Sequence, residues 1–312
     1  MPTVTRRTLL IAGLATAAAG CSGHQDAPRP TPTATPSRRV PDPQLADIVA
    51  EARLVLMYES AVRAQPSLKT MLEPIRAQHA THQEALIRAV GTRPSVTVAP
   101  RIPTAAAAVL SALRTAELGS AARATASCLA AATDRAGLLG SISASEQCHL
   151  LLLHGTPSVA PPGVVPAAGG RSSDELAGLQ TVLQAENAVR WGYDVVGGQV
   201  RAALQPAVRK VQAGHAFVLG SLESAIQARH TTPDAPEAAY TLPFAVAGTA
   251  SALRLAATLE DRSTAAWHYL LGSTDNPALR RFAAAGLRDA AVRAAQWRGR
   301  TGSPTSPALP GT

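Results

Sequence analysis

Leu139, Ile142, Glu146, His149 and Leu153 stand alternately three and four residues apart, the spacing that lines one seam of a bundled α-helix. The same spacing recurs in Ile48, Ala52, Val55, Glu59 and Val62, in Leu72, Ile75, His79, His82 and Leu86, and in Leu110, Leu113, Glu117 and Ser120. A chain patterned this way must bury one stripe of each helix against other helices. Each of these seams also turns a carboxylate or an imidazole inward with its leucines, so the pattern that sets the fold also sets the candidate chemistry. Hydrophobic residues make up 46% of the 312-residue chain but aromatics only 3%. Alanine dominates and β-branched runs are scarce, which makes this an all-α composition.

Breaks divide the pattern. Pro66, the loop from Gly91 to Pro103 and Thr133-Asp134 separate helices expected near 44–64, 67–90, 104–131 and 135–154. Gly197-Gly198, the stretch from Pro233 to Pro243 and the stretch from Gly272 to Pro277 separate a second set near 174–196, 201–229, 244–271 and 277–298. Four helices with short hairpin turns and one longer crossover make a four-helix bundle, so the expectation is two tandem bundles, 44–154 and 172–298. The Pro- and Gly-rich run 155–171 reads as a linker between them, and 299–312 as a disordered tail. Two short words recur in order, Glu59-Ser-Ala-Val-Arg63 with Glu186-Asn-Ala-Val-Arg190 and Ser111-Ala-Leu-Arg114 with Ser251-Ala-Leu-Arg254, which suggests an internal duplication.

Residues 1–21 read as an export signal: Arg6-Arg7, an apolar run from Leu9 to Ala19, then small residues before Cys21. The apolar run is shorter than a bilayer span. Ala18-Ala19-Gly20-Cys21 resembles a bacterial lipobox, which implies lipidation of Cys21 and anchoring at the outer face of the cytoplasmic membrane. Thr5 to Leu10 also resembles a twin-arginine signal. The Pro- and Thr-rich stretch 22–43 reads as a tether. The formal charge of +8 suits an anionic membrane surface, and an exported protein has little nucleic acid to meet. No nucleophile elbow, Walker loop, dinucleotide-binding glycine pattern or His-Glu-x-x-His helix is present.

At this point the chain resembles known proteins. Ferritin-like bundles carry Glu on the first and third helices and Glu-x-x-His on the second and fourth, around two metal ions. Residues 174–298, with Glu186, the TLPFAV word, Leu259-Glu260 and the closing DAAVRAAQWR, are similar to the uncharacterised ferritin-like domain-of-unknown-function family found in lipoproteins of high-GC Gram-positive bacteria. That resemblance covers the second half well and the first half only loosely, and it carries no activity with it. Matched residue by residue, the ferritin-like pattern implies a ligand set of Glu59, Glu117, Glu146 and His149 in the first half, with His79-x-x-His82 where Glu-x-x-His is expected. In the second half it leaves Glu186, Glu260 and His215 with Gln212 in the place of a glutamate, and Asp289 without its histidine, a vestigial set.

Depth along the helices favours a different first-helix partner. Glu59 and the histidine pair lie unequal distances from the turn at Pro66, a mismatch of roughly 10 Å at 1.5 Å per residue. Glu51 is level with the histidines. A hydrogen-bonded polar layer weighs ahead of a bound ion for these residues, since buried charges need partners and such layers fix helix register; Fe or Mn in the first bundle is the competing expectation. Cys128 and Cys148 are candidates for a disulfide in an oxidising compartment, although the hairpin sets them roughly 9 Å apart along the axis. The functional expectation is a non-catalytic binding or structural component of the cell envelope, with an envelope protein or a small ligand as partner and a homo-oligomer compatible with it. A metal-dependent oxidase or metal-handling protein is the alternative.

Overall fold

A computed structural model describes residues 43–98, 100–166, 173–302 and 305–312; the signal, Cys21 and the tether lie outside them. The described residues form eight helices: α1 (Pro43–Ala64), α2 (Lys69–Val90), α3 (Ala106–Ala130), α4 (Thr133–Leu152), α5 (Ser173–Gln199), α6 (Gln205–Gln227), α7 (Thr249–Gly272) and α8 (Pro277–Gly299). The chain is all-α, as its composition requires, and no described helix is long and apolar enough to cross a membrane.

Local chemistry sets the helix ends. Single 3-10 turns, Pro66–Leu68 and Ala202–Leu204, lead into α2 and α6. Gly91 closes α2 in the left-handed conformation, φ 74°, with its N–H on the Ile87 carbonyl, a geometry that glycine adopts without a Cβ penalty. At α8 the Asn276 side chain accepts from the backbone N–H groups of Ala278 and Leu279 at 2.9 and 3.3 Å, and Pro277 occupies the first helical position, where no N–H is needed.

α1 packs along α2 and α3, and α3 along α4; α5, α6, α7 and α8 repeat the arrangement with α6 resting mainly on α5. The halves expected as tandem bundles fuse into one body. Residues 41–312 form a single compact unit, and its largest apolar cluster joins Leu86, Cys128 and Leu139 to Leu183, Trp267 and Leu287. α4 is the centre. Every residue from 139 to 150 is buried, so this helix has no solvent face and is packed on all sides, by α3 and α2 within its own half and by α7 and α8 of the other.

Two segments expected as solvated chain are instead packed. Residues 305–312 run along α2, α4 and α7 of the described structure, with Ser306 and Pro310 buried. The stretch after α4 lies over the second half: the Val165 N–H donates to Ser221 Oγ at 2.7 Å on α6, and Arg229 reaches the Pro166 carbonyl at 3.3 Å. Each half is thus covered by the strand of chain that follows the last helix of the other. Cys128 and Cys148 are both buried and unbonded to each other; the Cys128 thiol donates to the Ala136 carbonyl at 3.1 Å, so the disulfide candidate is corrected here, in line with their separation along the hairpin.

Candidate metal centre

Six side chains from four helices converge inside the first half. Glu51 comes from α1, His79 and His82 from α2, Glu117 from α3, and Glu146 and His149 from α4, and each is at most 1% exposed. His79 is the hub. Its Nδ1 lies 2.8 Å from Glu51 Oε2 and its Nε2 2.9 Å from Glu117 Oε1. His82 Nδ1 lies 3.2 Å from the same Glu51 oxygen, and His149 Nδ1 3.1 Å from Glu117 Oε2. Ligand-capable atoms of Glu51, His79 and His82, and again of His79, Glu117 and His149, fall within 4.8 Å of one another. Glu59 is not part of the group: it is half-exposed, 3.6 Å from Arg76, which corrects the assignment carried by the ferritin-like pattern and follows from the depth mismatch.

The electrostatics divide these groups sharply. Burial raises Glu51 and Glu117, but hydrogen bonds and charge from the facing imidazoles outweigh it and hold both well below the usual carboxylate range. Burial alone would lower His79, yet the two carboxylates on its ring nitrogens lift it well above an ordinary histidine. His149 is lowered by burial, with Glu117 opposing. Glu146 is the exception. Neither of its oxygens has a hydrogen-bond partner of normal geometry; burial, then the charges of Glu51 and Glu117, push its pKa well up, against a weak pull from the nearby Ser120 hydroxyl. A carboxyl enclosed on every side with no hydrogen bond of normal geometry is an expensive thing to bury.

The second half repeats the scaffold with different contents. His215 Nδ1 lies 2.5 Å from Glu186 Oε2 and its Nε2 3.3 Å from Glu260 Oε1. Tyr193 donates to Glu260 at 2.6 Å, just as Tyr58 donates to Glu117. The tyrosine and histidine ring centroids are 5.4 Å apart at 35° in both halves. His215 therefore takes the place of His79, Glu186 that of Glu51 and Glu260 that of Glu117. The recurring words suggested a different register, pairing Glu186 with Glu59, eight residues along. Gln212, expected in a ligand position, turns outward to Asp194 at 3.0 Å.

Where the first half has Glu146 and His149, the second has Asp289 and Arg293. The Arg293 guanidinium donates to Glu260 Oε1 at 2.9 Å and to Asp289. Arginine and His215 hold Glu260 down at about 2 against its burial, and the two glutamates raise His215 to about 9 against its own. Protein cations thus balance the buried carboxylates in this half. The cluster floors a cavity of about 270 Å³ between α6 and α8, walled by Pro161 and Trp267.

Sequence spacing missed Tyr58, Gln78, Tyr193 and Arg293. One signal was present: a tyrosine follows Glu51 and Glu186 at the same interval, at Tyr58 and Tyr193, and that repeat gives the register the structure shows. Arg293 and Gln78 act from positions beside the seam through long side chains, which spacing does not report.

Residues 178–312 match the family model described as a domain of unknown function (DUF4439). Among solved structures, a conserved hypothetical protein of Mycobacterium tuberculosis, rv2844, is similar at 27% identity, over 42% of this chain and 99% of that chain, with a TM-score of 0.41. No curated protein matches. The similarity to the DUF4439 family thus lies in residues 178–312, the second half of the chain.

Proposed function

We propose that the first-half cluster binds one divalent transition-metal ion. The observation that carries this reading is the orientation of two imidazoles. His82 gives its Nε2 to the Ala308 carbonyl at 2.6 Å, and His149 gives its Nε2 to Gln78 Oε1 at 2.9 Å. Both acceptors are carbonyl oxygens, so both Nε2 atoms carry the proton and both Nδ1 atoms face Glu51 and Glu117. Metal-ligating histidines are commonly held in this way, one nitrogen fixed by an outer carbonyl and the other left for the ion.

The donor set fits. Imidazoles and carboxylates together suit Fe, Mn, Co or Zn, and the unpartnered oxygens of Glu146 supply a further anionic ligand where a cation would offset its burial. A neutral imidazole has one lone pair, so His79, which both triads share, serves one ion rather than two. In the metal-free protein, protons on His79 and Glu146 take over the balancing charge and leave a hydrogen-bonded polar layer, so the polar layer and the metal centre are two states of one site. In the second half Arg293 already neutralises Glu260, so no ion is expected there.

The test is the iron, manganese, cobalt and zinc content of the folded chain after anaerobic loading and desalting, beside a Glu117→Ala/His149→Ala variant. About one ion per chain, lost in the variant, is expected. Wild-type protein that retains no metal, or retains as much as the variant, ends the proposal.

A further inference from the structure

The cluster is not closed by its own helices. Its outer side is covered by residues 305–312, and three alternate carbonyls of that segment face inward. Ser306 O accepts from Gln78 Nε2 at 2.7 Å, Ala308 O from His82 Nε2 at 2.6 Å, and Pro310 O from Ser141 Oγ at 2.6 Å. Residues 308–309 bend and 310–311 turn, and along this path the carbonyls of 306, 308 and 310 are the ones presented to the groove between α2 and α4. Pro307 and Pro310 have no N–H to leave unpaired.

These bonds reach the ligands. A backbone carbonyl only accepts, so Ala308 O requires the proton of His82 on Nε2. Ser306 O likewise requires the amide nitrogen of Gln78, which turns Gln78 Oε1 toward α4. There it accepts from Ser145 Oγ at 3.2 Å and from His149 Nε2 at 2.9 Å, which places the proton of His149 on Nε2 as well. One short segment thus orients both imidazoles, directly at His82 and through Gln78 at His149.

We propose that residues 305–312 are a strap that holds His82 and His149 with Nδ1 toward the carboxylates and governs how fast a metal ion enters and leaves the first-half site. The gating arm rests on the metal reading above; the positioning arm does not. The strap is the removable wall of the site: the other walls are helices of the shared core, whereas this one is eight residues held by the three carbonyl bonds and by the contact of its Leu309 with the core. Its far end is fixed by Gly311. That residue has φ 89°, and a Cβ there would lie 2.7 Å from the Thr264 carbonyl oxygen and 2.8 Å from His268 Cβ on α7, so a branched side chain cannot be seated without lifting the strap.

The experiment compares the full chain with Gly311→Val, which touches none of the six clustered residues, and with a chain ending at Gly302. The imidazole nitrogen shifts of metal-free protein show which nitrogen of His82 and His149 carries the proton, and transfer of bound zinc to a chromogenic chelator gives the release rate. The expected result is Nε2 protonation of both histidines in the wild type, its loss in both variants, and zinc release about 10- to 100-fold faster, the usual scale for losing outer-shell partners. Nitrogen shifts unchanged in both variants overturn the positioning role. Release at the wild-type rate from variants whose shifts have changed overturns the gating role. A wild type that holds no zinc overturns the gating arm along with the metal reading, while the shifts still decide the positioning arm.

Discussion

His215 shows what the second half gains from setting a protein cation between two buried carboxylates. It is 2% exposed between Glu186 and Glu260 and titrates at about 9, against about 6.5 in an unfolded chain. Because the folded-state value is the higher, its stabilisation is complete below about pH 6.5 and is lost as pH rises through about 9, on the order of 3 kcal/mol in all. His79 is also raised, so the informative quantity is the difference between wild type and His215→Gln in urea titrations at pH 6, 7.5 and 9.5. That difference should shrink steadily with pH; parallel curves would sink the assignment. At this scale the sequence was legible where one rule sufficed. Seam spacing turned Glu51's partners inward, and a fixed rise per residue ranked Glu51 above Glu59; Glu51 lies 2.8 Å from His79. It was not legible where a long side chain decides the outcome. Arg293 neutralises Glu260 from beside the seam, and nothing in its spacing distinguishes it from the many arginines that face solvent.

At the scale of elements, the eight helices follow from periodicity and breaks, with ends displaced by a few residues: α5 runs to Gln199 through Gly197-Gly198, and α7 starts at Thr249 rather than at 244. The duplication was legible too, but its register was not, because alanine-rich words recur by composition whereas Tyr58 and Tyr193 recur by contact. Helix pairing then gives two mid-helix glycines opposite roles. Gly286 on α8 lies against Trp267 of α7, where a Cβ would come within 2.4 Å of the indole ring; Gly214 on α6 has open space within 4 Å. Alanine is the better helix former at either site by about 1 kcal/mol. Gly214→Ala should therefore stabilise the fold by about 0.5–1 kcal/mol, while Gly286→Ala should destabilise it by about 1–3 kcal/mol as the ring is forced from its place. Denaturant midpoints of the two variants check this, and a shift of the same sign in both would show that α7 and α8 do not approach as described.

At the scale of the molecule, the sequence suggested two bundles and the structure joins them, for a reason composition cannot convey. The run 155–171 has the Pro and Gly content of a linker, yet packed chain without regular structure has that content too, and it is contacts such as Ser158–Gln147, Val165–Ser221 and Arg229–Pro166 that tell the two apart. α4 likewise reads as one more amphipathic helix, although serines and glycines on its remaining faces let α7 and α8 come close: a Cβ on Gly140 would meet Leu271 at 2.6 Å. If the halves share a core through α4, they must unfold together. All three tryptophans, Trp191, Trp267 and Trp297, lie in the second half, so their fluorescence reports that half while far-ultraviolet dichroism reports every helix. Independent bundles would give a two-phase dichroism curve of which fluorescence follows one phase; a shared core gives coincident single transitions. Leu139→Ala sharpens the comparison, because Leu139 belongs to the first half by sequence and to the joint cluster by packing. Its cavity should cost about 2–5 kcal/mol and move the tryptophan midpoint by the same amount as the dichroism midpoint, whereas a tryptophan transition left where it was would mean that the two halves stand alone.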